Sequence, residues 1–416
     1  AGLAAGLYHY NPLRHALERR AAIPNALWRH LIVGGAFGIF QKTKAVDAAI
    51  LWIADSYNKS KIIRMLLIPI LMSVFSFAGA TFGMSEEVIP FILVFVPLAL
   101  ILGYDTVTGT AIPFIGSATG FASAFLNPFT VGIAQGISGL RLFSGIEYRV
   151  ICWVIFTSIA IFFVMRYARK IKLTPEKSIT YKSDIEKRKK IKGVEGDSPK
   201  GLSGRNKFVL AIFLSGLAVL IYGVLEYGWY IEEICAVFLI TGIAVGFAGK
   251  LKVNEITESF IQGAKDLAAT AFIIALARGI LIISQDGKII DTILYYLSGS
   301  ISGLHPVLSS QAMFIMQTMI NFFVPSGSGQ AVLTMPVMAP LSDLIGVSRQ
   351  TAVLAFQFGD GFSNLIIPTS AVTMGILTLA EIPWEKWARW ILPLEIIFLI
   401  AGLLLLIPPY FLGINF

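Results

Sequence analysis

The sequence has few of the residues that enzymatic or metal-dependent chemistry requires. It contains two cysteines, Cys152 and Cys235, and both lie inside apolar runs, where a packed thiol is inert. The four histidines follow no metal-ligand spacing, and the sequence contains no phosphate-binding loop or nucleophile elbow. We therefore expect no disulfide, no metal, no cofactor, no catalytic residue and no ATP-driven pumping.

Charged residues are also scarce. They make up 14% of the chain, whereas hydrophobic residues make up 56%, and the mean hydropathy is +0.76. Continuous apolar runs approach the roughly 20 residues that cross a bilayer as a helix, and they lack the alternating pattern of β-barrel strands. The runs are 150–165, 208–225, 234–247, 267–283 and 391–412. The composition predicts an all-α polytopic protein of the cytoplasmic membrane, embedded in the lipid bilayer.

One segment carries more positive charge than the whole chain. Residues 166–207 contain fourteen Lys or Arg and five Asp or Glu, a net charge of +9 against +8 for the complete sequence. A basic loop between spans indicates the cytoplasmic side of the membrane. We prefer this interpretation to a nucleic-acid or specific lipid site, because no interleaved aromatic pattern or RNA-binding motif accompanies the charge. Residues 166–206 are thus predicted to form a polar, mobile cytoplasmic linker, without a nucleic-acid partner.

The two parts of the chain on either side of this linker share a repeated pattern. The motif Gln-x-x-Lys-x-x-Asp at 41–47 recurs at 285–291, which is 244 residues later. Gly-Phe at 120–121 and Pro128 recur as Gly-Phe at 361–362 and Pro368, at offsets of 241 and 240 residues. A nearly constant offset over such a distance indicates two repeats of one structural unit.

Each repeat is predicted to contain a re-entrant hairpin and an interrupted transmembrane helix. The first repeat covers 26–165, with its hairpin at about 61–103 and its broken helix at about 106–137. The second half covers 207–416, with its hairpin at about 306–346 and its broken helix at about 350–377. Residues 1–25 are mixed in character, and we assign them no role.

Counting membrane crossings from the cytoplasmic linker places the two hairpins on opposite sides. The first hairpin is flanked by Lys59, Lys61 and Arg64, so it enters from the cytoplasm. The second enters from outside, and the C-terminus ends outside. The two repeats are therefore predicted to have inverted topology, as in many secondary transporters.

Both hairpin tips and both broken helices carry small polar residues where a membrane segment would ordinarily be apolar. Such residues can simply allow close helix packing. Their occurrence at matching positions of two repeats instead favours a substrate site in the middle of the membrane. Because acids within a membrane are costly and usually functional, Glu86 and Asp360 are candidates for binding a proton, a cation or a substrate ammonium group.

Two regions resemble the YfcC branch of the DcuC-type C4-dicarboxylate anaerobic carriers. They are GATFGMSEE at 79–87 with LNPFTVGIAQG at 126–136, and the whole stretch 325–370, which begins PSGSGQ and ends IIPTS. The resemblance implies the ion-transporter superfamily architecture, with scaffold and transport domains, an elevator mechanism and a homodimer. It also implies that the tips and breaks bind ions and substrate. The corresponding residues are Thr81, Ser85, Glu86, Ser117, Thr119, Ser123, Asn127, Ser326, Ser328, Gln330, Asp360, Ser363, Asn364 and Thr369.

The cargo is expected to be a small organic solute that bears a carboxylate. Relatives are described as carriers of C4-dicarboxylates or, in the YfcC branch, as basic amino-acid antiporters. The predicted site lacks Lys and Arg but contains two acids, which suits the ammonium of an amino acid such as arginine or ornithine. A C4-dicarboxylate carrier is the alternative, followed by a Na⁺/H⁺ antiporter. The coupling ion, H⁺ or Na⁺, stays open. A sodium ion would lie near Thr119, Asn127, Ser363 and Asn364.

Overall fold

We analysed the protein as a computed structural model. The structure describes residues 31–195, 202–227, 229, 231–289, 292, 296, 299 and 304–411. Within those residues every regular element is helical, which agrees with the predicted all-α class. The segment 1–25 and Asp291 of the repeated Gln-x-x-Lys-x-x-Asp motif lie outside the described residues.

The described residues of the first half and the linker contain eight α-helices, which we number in chain order. They are α1 (Leu31–Lys42), α2 (Ala45–Lys59), α3 (Lys61–Phe82), α4 (Ile92–Ile101), α5 (Thr106–Ala122), α6 (Ile133–Ile137), α7 (Ile146–Leu173) and α8 (Tyr181–Glu195). Short 3-10 turns at Glu86–Phe91 and Pro175–Lys177 and a π-helical turn at Pro128–Gly132 complete this half.

The described part of the second half contains nine further α-helices. Its helices are α9 (Gly204–Tyr227), α10 (Ile231–Ala248), α11 (Val253–Asp286), α12 (Pro306–Asn321), α13 (Gly327–Leu344), α14 (Arg349–Phe362), α15 (Ala371–Ala380), α16 (Trp384–Leu405) and α17 (Pro408–Phe411). A 3-10 turn at Ser363–Leu365 lies in the break between α14 and α15.

Four described segments are long and apolar enough to cross a membrane. They are Lys61–Phe82, Ile146–Leu173, Gly204–Tyr227 and Trp384–Phe411. The first of these is α3, the first helix of the segment 61–103 that is predicted as a re-entrant hairpin. It has 22 residues and so extends about 33 Å at 1.5 Å per residue. A helix of this length can cross the whole membrane, so the re-entrant path of the first hairpin stays a prediction.

Helix α3 packs against the broken helix α5 with almost no side-chain layer between them. A Cβ atom built on Gly120 would lie 1.8 Å from the carbonyl oxygen of Ser76, and one built on Gly79 would lie 2.1 Å from that of Ser117. Glycine is thus the residue that allows the two backbones to approach this closely. The first hairpin therefore positions the first break directly.

In the second half, α14 packs against both arms of its own hairpin, α12 and α13. The second segment of each broken helix also contacts the other half of the protein, because α6 packs against α13 and α15 packs against α4. The two broken helices meet where a Cβ on Gly361 would lie 2.3 Å from the Cα of Ala122. Both breaks are thereby held together in the interior.

The linker is not a free loop over its first part, contrary to the mobile segment expected from its polarity. Helix α8 docks through its basic side chains onto carbonyl groups at the ends of other helices. Arg188 donates to the carbonyl oxygen of Leu100 at 2.6 Å and to that of Tyr104. Lys187 donates to the carbonyl oxygen of Ala380 at 2.7 Å and lies 3.2 Å from the carboxylate of Glu381. Cations at helix C-termini are favourable, since the unpaired carbonyls there carry partial negative charge.

Acidic side chains make the complementary contact at the opposite kind of helix end. Asp105 caps the N-terminus of α5 by accepting from the backbone N–H of Thr108 at 2.8 Å, and it also accepts from Ser178 at 2.7 Å. Asp184 of α8 accepts from the backbone N–H of Thr106 at 3.2 Å. Burial raises the pKa of Asp184, although its hydrogen bonds to Thr106 and Thr180 oppose that shift. The linker therefore connects helix ends from both halves.

The close contact between α3 and α5 predicts a large effect of Gly120→Ala on stability. The added methyl group would overlap the Ser76 carbonyl, so the helices must separate at a cost of about 3 kcal/mol. We expect a lower melting temperature for the detergent-purified variant, followed by tryptophan fluorescence. Gly136→Ala is the matched control, since a Cβ there has only Leu142 nearby, at 4.0 Å. Equal melting temperatures for both variants would contradict the packing described.

The docking of α8 predicts a local effect of Arg188→Ala. Loss of two hydrogen bonds from a charged donor removes about 2 kcal/mol of local stability, so amide hydrogen exchange in the described part of residues 181–195 should accelerate by about tenfold or more. The control is Lys189→Ala, which removes an exposed cation from the next position. If amide hydrogen exchange in this helix is already fast in the wild-type protein and is unchanged by Arg188→Ala, then the linker is undocked.

Candidate substrate site

A cavity of about 140 Å³ lies where the two hairpin tips and the two broken helices converge. Its wall is completed by Ile234 of α10. The volume is below the roughly 300 Å³ lower bound for pockets that hold drug-sized ligands, so the cavity suits a small solute. Seven of the residues predicted from the sequence line it, and these are Ser85, Glu86, Ser117, Ser326, Ser328, Asn364 and Thr369.

The other seven predicted residues are buried behind the cavity wall or packed beside it. They are Thr81, Thr119, Ser123, Asn127, Gln330, Asp360 and Ser363. Two of them make bonds typical of helix interiors, because Thr81 donates to the carbonyl oxygen of Phe77 at 2.7 Å and Ser123 to that of Thr119 at 2.6 Å. Their hydroxyl groups are therefore engaged within their own helices.

The break after α5 is stabilised by the end of α3. The carbonyl oxygen of Ala80 accepts from the backbone N–H groups of Phe125 at 3.3 Å and Leu126 at 3.0 Å. The side-chain oxygen of Asn127 accepts from the N–H of Phe129 at 2.9 Å and so caps the next turn. The irregular backbone is thus satisfied by protein groups, as membrane depth requires.

Three polar atoms beside this break have no hydrogen-bond partner among the described residues. They are the hydroxyl oxygens of Thr119 and Thr130 and the amide nitrogen of Asn127, and all three are buried. Buried polar atoms are ordinarily paired, so an unpaired group beside a cavity is a candidate contact for a solute, an ion or a water molecule.

The second break is organised by Asn321, at the end of α12. Its side-chain N–H₂ donates to the hydroxyl of Ser363 at 2.8 Å and to the side-chain oxygen of Asn364 at 3.1 Å. Asn364 in turn donates to the backbone carbonyl of Asp360 at 2.8 Å. The orientation of Asn364 at the cavity wall is therefore fixed by the first arm of the hairpin.

Sequence reasoning missed Asn321 and its neighbour one turn earlier, Gln317. The side chain of Gln317 accepts from Gln330 at 2.7 Å and donates to Thr334 at 3.0 Å. Gln330, which was predicted to bind substrate, thus joins the two arms of the second hairpin instead of lining the cavity. The available signal was a pair of amide side chains four residues apart in an apolar helix, which places both on one face.

Asp360 is the most unusual group of the site. Its side chain is fully buried, and neither carboxylate oxygen has a hydrogen-bond partner among the described residues. One of these oxygens would lie 3.0 Å from a Cβ built on Gly327, at the first turn of α13. The partial positive charge of that helix end favours a nearby anion. The carboxyl group is therefore held close to the cavity but behind its wall.

The wall of the cavity combines helix N-termini with acidic side chains. The first turns of α13 and α15 contribute Ser326, Gly327 and Ala371 to the wall, and helix N-termini carry unpaired N–H groups. The side chain of Ser326 does not cap α13. The first hairpin tip contributes Glu86 and Glu87 to the same cavity. Among the described lining residues none is Lys, Arg or His.

Comparison with known proteins relates this architecture to membrane carriers. The family model for DcuC, the C4-dicarboxylate anaerobic carrier, matches residues 22–410. A protein of Escherichia coli strain K12, YfcC, which is provisionally named a basic amino acid antiporter, is 39% identical over 370 residues that cover 86% of this chain and 72% of the relative. An uncharacterised protein of Haemophilus influenzae is 31% identical over 377 residues, which cover 90% of this chain and 73% of that protein.

The fold is also similar to that of a solved transporter structure. The YdaH transporter of Alcanivorax borkumensis aligns with a TM-score of 0.51 at 15% identity, over 98% of this chain and 90% of that one. Together with the apolar spans, these similarities identify a multi-pass transporter of the inner membrane. The chain belongs to the DcuC family of C4-dicarboxylate anaerobic carriers.

Proposed function

We propose that the protein is a secondary active carrier of amino acids, which exchanges basic amino acids of the arginine and ornithine type. The observation that carries the proposal is that helix N-termini and carboxylates line one and the same cavity. An amino acid has the matching pair of charges. The provisional name of the relative YfcC supports the same substrate class.

The carboxylate of the substrate is expected to bind at the second hairpin tip. Ser326 and Ser328 line the cavity at the start of α13, and Ser326 leaves the first turn of the helix without a side-chain cap. Uncapped N–H groups and neighbouring hydroxyls are good donors to a carboxylate, and the helix dipole adds favourable electrostatic energy. Thr369, at the second break, has a buried hydroxyl oxygen without a partner among the described residues and offers a further contact.

The ammonium or guanidinium group of the substrate is expected at the first hairpin tip. Glu86 and Glu87 belong to the wall there, and the backbone N–H of Ser85 donates to Glu87 at 3.0 Å, which fixes the tip. Carboxylates bind guanidinium and ammonium groups through short, charge-assisted hydrogen bonds. Without a lining Lys or Arg among the described residues, the second carboxylate of a dianion would find no cationic partner.

Movement of the substrate is proposed to follow an elevator type of alternating access, with inverted repeats and a homodimer as its framework. The cross-packing of α6 on α13 and of α15 on α4 supports this proposal, because it joins the hairpins and breaks of both repeats into one body. The wall contribution of Ile234 from α10 is consistent with a site at the boundary of that body.

We propose that the coupling of substrate transport to a cotransported ion or an exchanged solute involves Asp360 and the neutral oxygens beside the first break. A sodium ion would use neutral oxygens near Thr119 and Asn127, and the unpaired hydroxyl of Thr119 is suited to this role. The side-chain oxygens of Asn127, Ser363 and Asn364 already accept hydrogen bonds from the protein, which leaves the hydroxyl of Thr119 as the strongest candidate ligand of a sodium ion. Proton coupling or solute exchange would instead use Asp360.

A C4-dicarboxylate is the second candidate substrate, because the matching family model describes such carriers. Neutral hydroxyl and amide donors at the two helix N-termini could bind both carboxylates of a dianion. The acids at the first hairpin tip weigh against this choice. A Na⁺/H⁺ antiporter, which would carry no organic solute, is the third candidate.

Counterflow in proteoliposomes distinguishes these candidates. Vesicles preloaded with arginine should accumulate labelled arginine and ornithine, whereas vesicles preloaded with succinate should accumulate neither succinate nor fumarate. Protein-free vesicles give the background. Exchange of dicarboxylates alone would overturn the amino-acid assignment, and a flux that depends on a pH gradient but on none of the four solutes would indicate an ion antiporter.

The role proposed for Asp360 predicts that Asp360→Asn lowers transport without lowering stability. The amide keeps the shape of the side chain but cannot take up a negative charge, so exchange of arginine should fall by at least about tenfold. Because an unpaired buried carboxylate is costly, the melting temperature should stay equal or rise. Asp55→Asn is the control, since Asp55 is 57% exposed in a surface pair with Lys59. Retention of exchange in Asp360→Asn would exclude this role.

A further inference from the structure

A second cavity, separate from the substrate site, lies between the end of α3 and the end of α7 that adjoins the linker. It has a volume of about 450 Å³. Three of its lining residues are cationic, namely Lys61 and Arg64 on the first turn of α3 and Arg169 on α7. The remaining wall includes the apolar side chains of Met65, Ile68 and Met165 and the ring of Tyr104.

The positive charge of this cavity is not neutralised by the described protein. Neither Lys61, Arg64 nor Arg169 forms an ion pair with any residue that the structure describes. The nearby acids have other partners, because Asp55 pairs with Lys59 at 2.5 Å and Asp105 accepts hydrogen bonds from the N-terminal turn of α5 and from the linker. Three like charges around one cavity repel each other, so an anion that binds there is strongly favoured.

The apolar walls indicate what kind of anion fits. Met65 is 56% exposed and lies on the same helix as Ile62, which is 66% exposed. Both belong to a membrane-spanning segment, so they face hydrocarbon or its boundary with the headgroups. A free inorganic anion would gain nothing from these side chains. A lipid would place its headgroup on the cations and its acyl chains along the apolar surface.

We propose that this cavity binds the headgroup phosphate of an anionic phospholipid from the cytoplasmic leaflet. Arg64 and Arg169 offer bidentate N–H donors to the phosphate oxygens, and Lys61 adds a third positive charge. The site lies between two transmembrane helices on the side where the basic linker begins. Basic pockets between transmembrane helices on the cytoplasmic side bind the headgroups of anionic lipids.

The neighbouring Lys172 is not a fourth cation of this cavity, because it has other partners. Its ammonium donates to the hydroxyl of Tyr57 and, at 3.3 Å, to the carbonyl oxygen of Leu102. It also lies 4.3 Å from the ring centre of Tyr57 and 4.8 Å from that of Tyr104. Lys172 is therefore occupied in joining α7 to α2 and to the segment that follows α4. A bound lipid would reinforce the same junction from its membrane side.

The test uses the full-length protein purified in a neutral detergent. Phosphatidylglycerol is added in one arm, phosphatidylcholine in a second and inorganic phosphate in a third. Bound lipid is counted by native mass spectrometry, and the melting temperature is recorded in parallel. We expect phosphatidylglycerol to bind and to raise the melting temperature, with little effect of the other two additions. Equal stabilisation by inorganic phosphate would overturn the assignment to a lipid, and equal binding of phosphatidylcholine would overturn the role of the anionic headgroup.

The double variant Arg64→Gln with Arg169→Gln should weaken phosphatidylglycerol binding by at least tenfold. The matched control is Lys170→Gln, which removes one exposed cation next to Arg169 that does not line the cavity and should leave binding within twofold. If the double variant has a lower melting temperature without lipid, Arg64→Lys with Arg169→Lys provides the second comparison, since it keeps the charge and should keep most of the binding. Unchanged phosphatidylglycerol binding in the glutamine variant would refute the site.

Discussion

Backbone hydrogen bonding without water is the constraint on which the rest of this structure depends. An interrupted helix in a membrane leaves N–H and C=O groups that only protein can satisfy. Here Ala80 at the end of α3 accepts from two amides of the first break, and Thr373 donates to the carbonyl of Asn364 in the second. Each break therefore needs closely packed neighbours, and Gly120 permits the contact between α3 and α5. The polar site exists because these neighbours leave some groups unpaired.

One electrostatic rule applies both at the cavity and where the linker docks. Helix N-termini attract anions and helix C-termini attract cations. At the cavity, the first turns of α13 and α15 belong to the wall, and the first turn of α13 has no side-chain cap. On the linker side, Arg188 and Lys187 donate to carbonyl groups at the C-terminal ends of α4 and α15. Because α4 and α15 belong to different halves of the chain, the linker joins the two halves by contacts and not only by covalent connection.

Much of the helical plan follows from the sequence, because apolar runs and polar interruptions have direct physical meaning in a membrane. Helix α5 ends just before Ser123, α14 ends just before Ser363 and α13 begins just after Ser326, so small polar residues of the sequence pattern lie at these helix ends. The docking of α8 was not predictable, because a run of basic residues has the same composition whether water or helix ends surround it. Asn321 and Gln317 were missed for a related reason, since their partners Ser363 and Gln330 are far along the chain and depend on tertiary packing.

Three buried ionisable side chains among the described residues differ in their surroundings. Arg149, Asp360 and Glu395 are all buried, and each has side-chain atoms without a hydrogen-bond partner among the described residues. An unpaired buried charge is costly wherever it lies, so cost alone does not identify a site. Asp360 adjoins a residue of the cavity wall, Gly327, where a side chain would approach its carboxylate oxygen. The absence of a side chain at Gly327 thus leaves the acid close enough to respond to charge in the cavity, while the wall keeps it out of direct contact with water.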